Sequence, residues 1–143
     1  MRSTTRAVLL AVTYLVLTFP IAAVWHLVLF PQSMTGAAFR TPPLFALGLL
    51  STVLQAAVVA FLFPRLAQGT SPVQGGLRFA SVMGTFIASY GVLAEAGKFA
   101  IANVGGWVVM EGAFFLVQWI IIGVALGFVY QWTGRPSLSA RTH

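Results

Sequence analysis

Four apolar runs, each about as long as the 20 helical residues that cross a hydrocarbon core, take up most of this 143-residue chain. The first covers about residues 7–30, the second 44–63, the third 77–102 and the fourth 104–130. Only 7% of the residues are charged, against roughly 25% in an ordinary soluble domain, so the chain cannot coat itself for water. Its solvent is lipid. There the backbone must satisfy its own polar groups, which leaves helices or a closed barrel. A barrel requires strict in–out alternation along each strand, and these runs lack it. The sequence predicts an all-α, integral-membrane, up-down bundle of four transmembrane helices. It forms a single membrane domain over 1–143, ending in a mobile polar tail over 133–143.

Punctuation separates the runs. Pro31 closes the first, and Pro42-Pro43 open the second where a missing N–H costs little. Pro64-Arg65 stop the second, and Gln68 to Gly76, with Gly69, Pro72, Gly75 and Gly76, reads as a turn-rich loop. Gly134 and Pro136 end the fourth. Trp25, Trp107, Tyr130 and Trp132 fall near span ends, where amphipathic rings favour the interface. Pro20 is expected to kink the first helix.

The first run is about twice the length of a secretory h-region, so it reads as a retained span. With the N-terminus inside, Arg2, Arg6, Arg65, Arg78, Arg135 and Arg141 share one side, and Arg40 alone lies outside on the other. That bias places both termini in the cytoplasm of a bacterial cell whose inner membrane holds the protein. A net charge of +6 in a soluble protein would suggest nucleic acid. Here the arginines stand singly at span ends, so nucleic acid is not a partner. With no cysteine, disulfides, thiolate metal sites and thiol catalysis are excluded.

The acidic residues carry the functional argument. There are two, Glu95 and Glu111, both inside apolar runs, and the only lysine, Lys98, lies one turn from Glu95. Charges at bilayer depth are costly, by about 2.5–3.5 kcal/mol on insertion scales, and usually have a partner or a task. In a hairpin centred near Asn103, Glu95 and Glu111 are equally far from the turn. Both carboxyls then lie level, roughly 10–12 Å below the outer turn. On the third span Ser81, Gly84, Ala88, Gly91, Glu95 and Lys98 share one mostly small-residue face, which aims Glu95 and Lys98 at a neighbouring helix. Glu111, Phe115, Gln118, Ile122 and Ala125 share a face of the fourth. The second contributes Gly48, Ser51, Gln55 and Val58. The first contributes Tyr14, Thr18, Ala22 and Trp25, with His26 beside them. If these faces converge, the bundle centre holds His26, Gln55, Glu95, Lys98, Glu111 and Gln118.

The plainest role for Glu95 and Lys98 is a self-neutralising i,i+3 ion pair. That leaves Glu111 to share Lys98, to be protonated, or to bind something external, and a proton- or cation-binding site is the sharper reading. His26 alone reads as a hydrogen-bonding anchor. Gln55 and Gln118 read as interhelical hydrogen-bonding groups. Lys98 disfavours a metal site from His26, Glu95 and Glu111, and no histidine pair exists inside the membrane for a haem, so no metal or cofactor is expected. No nucleophile–base–acid set and no phosphate-binding glycine loop is present, so an enzyme ranks last. Gly123 and Gly127 form a GxxxG pair that could serve a homodimer.

The segments Val24-Trp-His-Leu-Val-Leu-Phe30, Tyr90-Gly-Val-Leu-Ala-Glu-Ala-Gly-Lys-Phe99 and Glu111-Gly-Ala-Phe-Phe-Leu-Val-Gln118 resemble a group of short bacterial membrane proteins with four transmembrane helices and no established function. The resemblance covers most of the chain and implies an integral membrane protein without assigning any role. In size and span number the chain is also similar to the small multidrug-resistance exporters. Their essential glutamate lies in the first span, which here has none, so that likeness is architectural. The leading expectation is a small transporter or permease-like protein taking a small-molecule or ion ligand at the Glu/Lys cluster. The alternative is a non-transporting membrane subunit or assembly factor whose buried charges only lock helices together.

Overall fold

The computed structural model describes residues 3–31 and 44–134. Four helices run through them: α1 (Ser3–Leu29), α2 (Phe45–Ala67), α3 (Pro72–Lys98) and α4 (Val104–Gly134). All four are long and apolar enough to cross a membrane, and the described residues include no strand. Arg2, Arg40, Pro42, Pro43, Arg135, Pro136 and Arg141, and with them the 1–2 and 32–43 segments, lie outside the described residues. So does the tail beyond Gly134; Thr133 and Gly134, expected in that tail, are the last residues of α4.

Neighbouring helices are antiparallel, and side-chain pairs fix the register. Tyr14 of α1 meets Gln55 of α2, Phe63 of α2 stacks at 4.9 Å on Phe79 of α3, and Gly84 of α3 faces Trp119 of α4. Arg6 of α1 reaches Thr133 of α4. The ring α1–α2–α3–α4 closes on itself, with α3 and α4 in the most extensive contact. Two ends result. The basic end gathers Ser3, Ala67, Pro72 and Gly134; the acidic end gathers Leu29, Phe45, Lys98 and Val104. Leu10, Phe63, Phe79, Ile122 and Leu126 are fully buried between them. The outer surface carries Val16, Leu54, Phe61, Phe86, Leu116 and Phe128, all well exposed, as a lipid-facing bundle requires.

Close approach of α3 and α4 depends on glycine. A methyl group on Gly76 would strike the carbonyl oxygen of Gly123, one on Gly123 would strike that of Gly76, and one on Gly127 would strike that of Pro72. The GxxxG pair therefore packs against α3 within the chain.

The helix ends also differ from the sequence reading. Pro64 does not stop α2, which continues through it for three residues to Ala67. The Gln68–Gly76 loop shrinks to four residues, Gln68 to Ser71. Gly69 takes φ +73°, the left-handed turn that ends α2. Ser71 then caps α3: its Oγ accepts from Gln74 N at 3.3 Å, Gln74 Oε1 accepts from Ser71 N, and Pro72 opens the helix. α3 ends at Lys98 rather than at 102. Asn103 caps α4, its Oδ1 accepting from Gly106 N at 2.9 Å, so the hairpin turn is residues 99–103. α1 runs on past Pro20 and then widens.

That widening occurs twice. Val24–Leu29 of α1 and Ser89–Ala94 of α3 are π-helical, and both lie toward the acidic end. Each adds a residue to a turn and rotates whatever follows it.

Candidate functional site at the acidic end

Glu111 is the most buried charged side chain of the site, 5% exposed, and faces inward from the second turn of α4. The π-helical segment of α1 places His26 opposite it, with Nδ1 3.8 Å from Glu111 Oε1. This is an ion pair whenever the imidazole is protonated, but it is too long for a hydrogen bond. Glu111 Oε1 is buried and has no hydrogen-bond partner. Rings wall the pair: Phe114 lies 4.5 Å from the His26 ring and 5.8 Å from that of Trp25, and Trp25 packs at 4.7 Å on Phe30. The indole N–H groups of Trp25 and Trp107 are also buried without a partner. The Trp25 donor and the orphan carboxylate oxygen thus border one locus, a pattern that water or a small polar ligand resolves.

Glu95 is half-buried just beyond the π-helical segment of α3, within Coulombic range of Glu111. The local register agrees with the two carboxyls being level, since Gly91 lies against the Phe115 ring. Lys98 departs from expectation. It is exposed, and its Nζ donates to Tyr90 Oη at 2.6 Å while lying 4.1 Å from the Tyr90 ring centroid. Among the described residues the ion pair formed is His26–Glu111, and neither carboxyl pairs with Lys98. The π-helical segment explains this. In an unbroken α-helix residues eight apart point about 80° from one another; a single inserted residue brings them to within about 20°. Lys98 thereby swings onto Tyr90, which is 59% exposed, and leaves the bundle interior.

The two glutamines occupy the next layers. Gln118 is 6% exposed, on the same buried face as Glu111 and about 10 Å deeper along α4. Gln55 Oε1 accepts from Tyr14 Oη at 2.5 Å, and Gln55 Nε2 donates to Ser51 Oγ at 3.3 Å. Thus His26, Glu111, Gln118, Tyr14 and Gln55 form a polar column leading inward from the acidic end. It stops at the apolar layer of Leu10, Phe63, Phe79, Ile122 and Leu126. Sequence reasoning missed Tyr90 as the lysine's partner and Trp25 and Phe114 as walls of the site. Repeated aromatics around Glu111 were the available signal.

Comparison of the chain with protein-family models, curated proteins and solved structures returns no match in any of the three. Fold and site define a class, a multi-pass membrane protein built as a four-helix bundle, and the function must be read from the site itself.

Proposed function

We propose that this protein is a small transporter or permease-like protein of the bacterial inner membrane, with both termini cytoplasmic, and that Glu111, paired with His26, is its proton- or cation-exchanging group. One observation carries the reading: a carboxylate oxygen buried in a membrane helix, 3.8 Å from an imidazole, has no hydrogen bond to hold it. A clamp would be better satisfied than this. Two further features support it. π-helical turns occur often at functional sites; of the two among the described residues, one carries His26 and the other runs up to Glu95. The polar groups lie toward one end and give way to fully buried apolar side chains, an arrangement that suits an alternating-access protein closed at the other end. Glu95 is the second carboxyl of the site; Lys98 no longer belongs to it.

The test uses protein reconstituted into vesicles loaded with a pH-sensitive dye. External sodium, potassium or a small organic amine should drive proton movement in wild-type vesicles and none above empty vesicles in Glu111→Gln. Equal traces from wild-type and empty vesicles would favour the second reading, a membrane subunit. That reading has its own support: an outward groove of about 450 Å³ between α3 and α4, lined by Ser81, Gly84, Thr85, Ala88 and Gly112, suits a partner helix.

A further inference from the structure

At the basic end the helix termini enclose a groove of about 480 Å³ lined by Arg6, Thr70, Ser71, Pro72, Tyr130 and Gln131. Arg6 is held in its wall. Its Nη2 donates to the Thr133 carbonyl at 3.3 Å, and its guanidinium carbon lies 4.8 Å from the Tyr130 ring centroid. Its Nε is buried and makes no hydrogen bond. Both acidic side chains of the sequence, Glu95 and Glu111, are at the opposite end of the bundle. A part-buried guanidinium fixed by packing therefore faces a groove with no carboxylate side chain to balance it.

We propose that this groove binds the phosphate of an anionic phospholipid headgroup, with Arg6 as its charged partner. The planar fork of arginine matches a phosphate oxyanion, and basic pockets between transmembrane helices are the usual setting for headgroup binding. The groove lies level with the ends of all four helices, which is headgroup depth. Ser71 Oγ accepts from Gln74 N and keeps its own proton to donate, whereas the Thr70 hydroxyl is spent on the Ala67 carbonyl. Arg65, at the same end, differs: its guanidinium folds onto the Phe61 ring at 3.6 Å and donates to the Phe61 carbonyl, outside the groove.

Purified full-length protein in neutral detergent, mixed with phosphatidylglycerol or phosphatidylcholine, can be assayed for retained lipid by native mass spectrometry and for thermal stability. Wild type should retain phosphatidylglycerol in preference to phosphatidylcholine. Arg6→Gln should lower that retention about tenfold, and Arg65→Gln should change it less than about twofold. Gln131→Trp fills the groove from its exposed rim and keeps the Arg6 side chain, so it should also abolish retention and serves if Arg6→Gln fails to fold. Equal losses from Arg6→Gln and Arg65→Gln, or full retention in Gln131→Trp, would overturn the site. Inorganic phosphate raising the melting temperature as much as phosphatidylglycerol would overturn the lipid as the source of the phosphate.

Discussion

His26 Nδ1 stands 3.8 Å from Glu111 Oε1, joining α1 to α4 where α1 widens into its π-helical segment. The contact gives the buried carboxylate its one cationizable neighbour within ion-pairing distance among the described residues. It also takes over the role that the lysine's position along the chain suggests for Lys98. What the pair does depends on whether Glu111 is held or exchanged, and several measurements separate the two.

Lys98→Met should change stability by less than about 0.5 kcal/mol, as surface substitutions usually do, since it removes only an exposed contact to Tyr90. His26→Ala should cost at least about 1 kcal/mol more, because it strips a buried carboxylate of its neighbour. Thermal unfolding of both variants in one detergent checks this. A larger loss from Lys98→Met would restore the lysine to the bundle interior.

Gly123→Ala should destabilise the bundle by about 1–3 kcal/mol, because its methyl group meets the Gly76 carbonyl and forces α3 from α4. Gly112→Ala, with open space around the same added atom, should be neutral or stabilising by about 0.5–1 kcal/mol through helix propensity alone. Unfolding midpoints compared across the two variants give the answer, and equal midpoints would mean that α3 and α4 are not packed backbone to backbone.

Much of this was legible in the residues. Run lengths and the scarcity of charge specify four spanning helices, and Asn103 between two apolar runs marks the hairpin that sets Glu95 level with Glu111. Helical periodicity also placed Gln118 and Glu111 on one inward face, because α4 is regular from end to end. It failed on α3. A π-helical turn has no reliable mark in composition, and one extra residue rotates everything beyond Gly91, which sent Lys98 outward. The GxxxG at Gly123 and Gly127 marks a helix-contact face, but spacing cannot say which helix fills it; here α3 does. Gly75 and Gly76 were read as loop because glycine signals both a turn and a close helix contact, and only the capping box at Ser71 and Gln74 separates the two meanings here.

The absence of native cysteine makes a directional test clean. Single cysteines at Trp107, Gln118 and Leu126 sample the mouth of the polar column, its middle and the apolar layer below. In sealed vesicles a membrane-impermeant thiol reagent should label positions 107 and 118 from one side and leave 126 unlabelled. Labelling at 126 from that side would show that the apolar layer does not close the column.

The most direct measurement of the central claim is proton release from purified protein in weak buffer on addition of sodium, potassium or a small organic amine, with wild type and Glu111→Gln compared alongside their unfolding midpoints. The amide keeps the shape and most of the hydrogen bonding of the carboxyl, so Glu111→Gln should fold with a midpoint close to wild type. It should nevertheless lose the proton release that wild type shows. A Glu111→Gln protein that is strongly destabilised, with no proton release from wild type by any of these ligands, would contradict the claim and leave Glu111 as a clamp between α1 and α4.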